Sequence, residues 1–210
     1  PIGLFLAAWL IGGAMVDLWS RTGRGSGRVA RLTRLPRADW GKALAHGGLG
    51  ITIAGIAAMM AWEQEDIRVM QTGESLDIAG YTLRLDDVRQ KDGPNYVATE
   101  ADFTLSQNGR EIGTMQPEKR NYPVAQMPTT EAALNNGFLR DIYVVIGDPQ
   151  NNGGWAIRTY YKPLANWIWG GTIIMALGGV FSLSDRRYRV AAGTRHAPSP
   201  ARGAPEVPAE

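Results

Sequence analysis

Three long, predominantly apolar runs, Ile2 to Trp19, Ala43 to Trp62 and Leu164 to Leu183, constrain this chain more than any other feature. At 1.5 Å per residue each reaches about 30 Å, the thickness of a bilayer's hydrocarbon core. A water-soluble fold would have to hide three long helices that are apolar on every side. The reading is therefore a multi-pass α-helical membrane protein, with three transmembrane helices at 1–19, 43–62 and 164–183. The first run does not read as a signal peptide: no basic leader precedes it in the sequence, it closes on Asp17 and Trp19, and it lacks a small-residue cleavage pattern. Because the sequence opens at Pro1, almost directly on an apolar run, it is expected to be a fragment, or a processed or split product, of something larger.

Charge orients the spans. The linker 20–42 holds Arg21, Arg24, Arg28, Arg31, Arg34, Arg37 and Lys42 against a single acid, Asp39, and Arg186, Arg187 and Arg189 follow the third run. Short basic segments stay in the cytoplasm, which places the intervening residues 63–163 across the membrane, in the periplasm of a Gram-negative cell. Gly23, Gly25 and Gly27 argue against a stable helix across the basic linker, so contact with anionic headgroups explains its charge and nucleic acid is not expected as a partner. Trp40 and Trp62 bracket the second run, and Tyr160, Tyr161, Trp167 and Trp169 crowd the start of the third, as headgroup-level aromatics do. The tail 184–210, with Pro198, Pro200, Pro205 and Pro208, is expected to be disordered.

The texture changes in the outer segment. "YTLRLDDV" and "YVATEADFTL" alternate with period two, the latter with Val97, Thr99, Ala101, Phe103 and Leu105 on one side. Asn108-Gly109 marks a turn after which "EIGTMQ" returns as a paired strand, and "DIYVVIGD" and "WAIRTYY" are further strands. "MPTTEAALNNGF" reads as a short helix begun at Thr130 and stopped at Gly137. The expectation is an inserted antiparallel domain, barrel-like or sandwich-like, of six or seven strands. It contains no histidine and no cysteine, and Ser75 and Ser106 lack a base, so no hydrolytic site is expected; Asp86, Asp87 and Asp92 read as surface charge. "QPEKRNYPVAQMPTT", carrying Tyr122, Pro123, Met127 and Pro128, reads as an exposed, partly apolar, irregular loop able to meet a partner. The absence of cysteine from the whole chain excludes disulfides, thiolate metal sites and thiol redox chemistry within it.

One residue is out of place. His46 stands inside the second run, one helical turn from Lys42, and at helical spacing it stacks with Gly50, Ala54 and Ala57 or Ala58. That stripe of small residues leaves room for another helix or for a flat cofactor. Three roles follow: an interhelical hydrogen bond, a neutral imidazole ligand to haem iron or another metal with Gly50 and Ala54 beside the cofactor, or a member of a proton path. The last suffers from the lack of another ionisable group in this helix, and Asp17 of the first run reads as a boundary residue.

The segments "ALAHGGLGITIAG", "RDIYVVIGDP", "WAIRTYYKPLANWIWGG" and "IMALGGVFSLSDRRYR" resemble, in order and spacing, the C-terminal third of the CcmF family, the large subunits of the bacterial cytochrome c haem lyase machinery. The resemblance runs from about residue 2 to residue 190. It implies an inner-membrane protein that helps attach haem, brought by the haem chaperone CcmE, to apocytochrome c at the periplasmic face, beside the subunits CcmH and CcmI. It also implies a resident haem b that reduces the incoming haem iron with electrons from quinol, and it makes His46 one of that haem's two axial ligands. The family's tryptophan-rich periplasmic segment, its periplasmic histidines and its second membrane histidine have no match here. His196 lies in the tail, on the wrong side to replace them. The remainder of the same protein, or a split-gene product, is the expected source, and these residues alone are not expected to catalyse anything. The alternative is a non-enzymatic, membrane-anchored docking module for cytochrome c biogenesis with a structural His46. A transporter subunit would need broken or polar helices, which these spans lack.

Overall fold

The computed structural model describes residues 2–23, 25–151 and 153–185. Its elements in chain order are α1 (Ile2–Arg21), α2 (Arg28–Leu32), α3 (Arg37–Trp62), β1 (Gln64–Met70), β2 (Ser75–Ile78), β3 (Tyr81–Asp92), β4 (Val97–Gln107), β5 (Arg110–Met115), β6 (Glu118–Tyr122), β7 (Met127–Glu131), β8 (Ala133–Asn136), β9 (Arg140–Pro149), β10 (Trp155–Pro163) and α4 (Ala165–Leu183). Helices α1, α3 and α4 are each long and apolar enough to cross a membrane, and the strands build an antiparallel sandwich between α3 and α4. The expected disordered tail, with Arg186 to Arg189 and His196, lies outside the described residues.

Helix α3 starts six residues before the apolar run does, because a helix does not stop where hydropathy falls. Pro36 enters it in an extended conformation, Asp39 complements the positive end of its dipole, and the Asp185 carboxylate beyond α4 accepts the Ala38 N–H at 3.1 Å. The added turns carry Asp39 and Lys42, which pair with Arg21 and Asp17 of α1 at 2.8 and 2.7 Å. Between α1 and α3 only the five residues of α2 are helical among the described residues, and Gly23, Gly25 and Gly27 all adopt positive φ. Arg28 and Arg31 turn back to donate to the Trp19 and Thr22 carbonyls at the end of α1, each at 3.0 Å.

The helices are joined through glycine. On α3, Gly41, Gly48 and Gly55 recur every seven residues, two turns apart, and α4 answers antiparallel with Gly178 and Gly171. A Cβ on Gly48 would stand 2.5 Å from the Met175 nitrogen, and one on Gly171 2.5 Å from the Gly48 oxygen. Backbone lies on backbone, which is how helices associate where lipid removes the hydrophobic drive. Another face of α3 receives α1: Gly3 meets Ala57, and Gly50 meets Ile11 and the Ala7 carbonyl.

The sandwich has one sheet in the order β1-β10-β9-β8 and another in the order β2-β3-β4-β6-β7, with β5 also pairing β4. Leu83, Leu85, Ala101, Phe103, Leu105, Ile142, Val144, Ile146 and Ile157 close the core, so the period-two alternation was a true guide. Val97 and Thr99 instead line a groove of about 500 Å³ with Trp155, Pro149 and Pro128. Among the described residues ten strands form rather than six or seven. The extra ones come from segments whose pattern was too short or too polar to register: β1, β2 and β6, and the region read as a helix from Thr130 to Gly137. That region is β7 and β8, held by pairing to β6 and β9, so tertiary pairing overrides the local helix signal. The expected irregular loop 116–130 is likewise largely the hairpin β6–β7, with Val124 fully exposed in its turn.

Charges pair across the strands of the second sheet. Glu100 accepts from Arg89 and Lys91, and Glu118 from Lys91 at 3.0 Å and Arg120 at 2.7 Å, with both carboxylates nearly buried. The Lys91 and then the Arg120 hydrogen bonds hold the Glu118 carboxyl down, from the ordinary 4.5 to about 2. A lowered folded-state pKa contributes stability that is complete above the unfolded value and is lost as pH falls toward the folded one. Glu118→Gln is therefore expected to cost on the order of 1–2 kcal/mol at pH 7. The gap from the parent should close between about pH 4.5 and 2, as read from thermal unfolding of the detergent-solubilised chain. A gap that held constant through that window would exclude the linkage.

Chain crossings between membrane and sandwich are short. One residue, Glu63, separates α3 from β1, and one, Leu164, separates β10 from α4. Leu164 takes a left-handed conformation, φ 53°, that leucine rarely adopts, and its N–H donates to the Leu139 carbonyl at 2.9 Å. Next to it the buried Asp141 carboxylate accepts from the Gly137 N–H at 3.1 Å and from Asn166 Nδ2 at 3.0 Å.

Candidate functional site

His46 opens into a cavity of about 280 Å³ between α1 and α3, lined by Trp9, Leu10, Gly13, Ala14, Asp17, Lys42 and Ala43. The antiparallel packing of α1 on α3 creates it. Gly50, one turn toward the opposite end, is closed off by Ile11, whereas the lining opposite His46 includes the small residues Gly13 and Ala14. A Cβ added at Gly13 or at Gly47 would meet nothing within 4 Å. Large side chains stand at the edge as Trp9 and Leu10, and the mouth is charged, with Asp17 paired to both Lys42 and Arg21.

The ring itself is oriented by its own helix. Nδ1 lies 2.9 Å from the Lys42 carbonyl oxygen. A carbonyl only accepts, so Nδ1 carries the proton and donates, which leaves the lone pair on Nε2. At Nδ1 the bond is within α3 itself rather than to another helix. The ring thus has one nitrogen anchored to its own helix and Nε2 left without a partner among the described residues, the arrangement in which a histidine can bind a metal. Among the described residues no group of three or more His, Cys, Asp or Glu side chains could hold a metal by itself.

The small-residue stripe divides. His46 belongs to the cavity. Gly50 packs against α1, where an added Cβ would meet Ile11 and the Ala7 carbonyl oxygen. Ala54, half-buried one turn further, does not line the cavity. The cavity's other wall was missed in the sequence. The signal was present as the consecutive small residues Gly12, Gly13 and Ala14 of the first run, but it marks a wall only once the antiparallel register to α3 is known. Asp17, read as a boundary residue, is instead a partner of Lys42 at the cavity mouth.

Comparison with known proteins places these features. Residues 61–163 match the family described as CcmF C-terminal beta-sandwich. The chain is 57% identical over 192 residues to the cytochrome c-type biogenesis protein ccl1 of Rhodobacter capsulatus, an alignment covering 91% of this chain and 29% of that one. It is 45% identical to CycK of Rhizobium meliloti, covering 93% of this chain and 29% of the relative, and 39% identical to CcmF of Escherichia coli, covering 90% and 28%. The chain thus spans less than a third of the length of these relatives. Among solved structures it shares its fold with one titled Cytochrome c Heme Lyase CcmF, with a TM-score of 0.58 at 18% identity, covering 87% of this chain and 34% of that one.

Proposed function

Since the chain belongs to the CcmF family of cytochrome c-type biogenesis proteins, we propose that it is the C-terminal part of an inner-membrane haem lyase that attaches haem to apocytochrome c at the periplasmic face. In this reading residues 63–163 stand in the periplasm, the remainder of the protein or a split-gene product completes the site, and CcmE, CcmH, CcmI and quinol are its partners. His46 would supply one ligand to an internal haem b. When bound, such a haem supplies one-electron reduction of the haem iron awaiting attachment.

The residues fit that group. The carrying observation is the Lys42 carbonyl fixing the Nδ1 proton, so that Nε2 is the basic nitrogen beside a cavity free of bulk. Trp9 and Leu10 give the cavity apolar walls, which favour a neutral ligand over a protonated one. Lys42 and Asp17 keep opposite charges balanced at the mouth. The chain's task at this site is to orient, to provide apolar walls and to donate one lone pair.

Purified full assembly carrying His46→Ala is expected to lose the optical spectrum of a six-coordinate low-spin b-type haem, and added imidazole is expected to restore part of it. Unchanged haem content and spectrum would leave ahead the alternative, a non-enzymatic docking module. A specific observation favours that second reading: the groove between Val97, Thr99 and Trp155 lies open at the far end of the sandwich, near the exposed Val124 and Met127.

A further inference from the structure

We propose that the tip of the β8–β9 hairpin, residues 137–139, is a lipid-contact site, set into the headgroup and acyl boundary of the leaflet from which the sandwich rises. The proposal rests on α4 crossing the membrane and is independent of the role of His46.

Three turns share the membrane end of the sandwich: Ala79-Gly80 before β3, Asn108-Gly109 after β4, and Gly137-Phe138-Leu139. Tyr81 pairs with Gln107 and its ring lies 6.2 Å from that of Tyr161, which places the first two turns beside the end of β10. They are small or polar. The third carries two large apolar side chains, Phe138 at 76% and Leu139 at 60% exposure, with no other part of the described chain over them.

The height of this tip is fixed by hydrogen bonds to the start of a span. Gly137 O accepts from Asn166 Nδ2 at 2.8 Å, Phe138 O from Trp167 Nε1 at 3.0 Å, and Leu139 O from the Leu164 N–H at 2.9 Å. Three consecutive carbonyls are thus taken up by the first turn of α4. A turn in water has no need of this, whereas a turn in lipid must satisfy its polar backbone within the protein. The Phe138 ring stacks at 5.7 Å on Trp167, and Trp169 stands 71% exposed two residues on. Apolar side chains, satisfied carbonyls and neighbouring tryptophans together describe an interfacial anchor.

The natural absence of cysteine makes single-site labelling direct. The full chain carrying Phe138→Cys and a nitroxide label, reconstituted in phospholipid vesicles, is compared by power-saturation spin resonance with Val124→Cys in the β6–β7 turn. That turn is at the far end, where Lys119 of β6 pairs with Asp148 near the end of β9. Oxygen, which partitions into lipid, is expected to exceed a water-soluble nickel chelate as relaxant several-fold more at 138 than at 124. Leu139→Cys, which spares the ring contact with Trp167, is expected to repeat the result. Labels at 138 and 139 as open to the nickel chelate as at 124 would overturn the proposal, and so would labels shielded from both relaxants, which would mean a protein surface covers the tip.

Discussion

Replacing Gly171 with leucine is expected to force α4 off α3, while the same replacement one residue earlier, at Gly170, leaves the hairpin intact. A Cβ at 171 meets the Gly48 oxygen and the Thr52 nitrogen at 2.5 Å, and both are backbone atoms of a regular helix that cannot rotate away. At 170 it meets nothing within 4 Å. Overpacking against backbone is at the costly end of its range, so more than about 3 kcal/mol is expected for Gly171→Leu. Gly170→Leu should stay within about 0.5 kcal/mol and gains helix propensity. Thermal unfolding in detergent, with helix content followed by circular dichroism, measures both. Equal effects at the two positions would contradict the backbone contact.

The second large effect is expected at Asp141. Its carboxylate accepts from Gly137 N–H and Asn166 Nδ2 in a buried joint between the sandwich and α4. Asp141→Ala leaves both donors without this acceptor, which is expected to cost about 2–4 kcal/mol, whereas Asp141→Asn, which keeps one acceptor oxygen, is expected to cost less than half of that. Limited proteolysis reads the difference where it matters: cleavage in the 137–139 turn should accelerate in Asp141→Ala and only slightly in Asp141→Asn. Similar cleavage in all three proteins would show that the joint is held by other contacts.

Much of this was legible beforehand, and the reasons differ by feature. The three spans announce themselves because a bilayer demands some twenty apolar residues in a row. Strands β3, β4, β9 and β10 were visible because each buries one face in a core that needs Leu85, Phe103, Val144 and Ile157 at alternate positions. β7 was not, because "MPTTE" buries little and owes its conformation to five pairings with β6. The glycine pairs 170–171 and 178–179 teach the same lesson. In each, one member touches a neighbouring helix and the other faces open space, and only the register of α3 against α4 decides which. His46 was legible as an anomaly, since a lone imidazole in a hydrocarbon run demands an explanation. Its tautomer was not, because that depends on a single backbone oxygen one turn away.

The single-residue crossings at Glu63 and Leu164 have a mechanical consequence. With no slack on either side, and with the β8–β9 turn stitched to α4, the outer domain has no tether on which to swing. It behaves as a lever arm rigidly mounted on the α3–α4 pair, so a tilt of a few degrees in the bilayer becomes a displacement of several ångströms at the Val124 end. A sandwich mounted in this way is carried by the helix pair and does not swing from it.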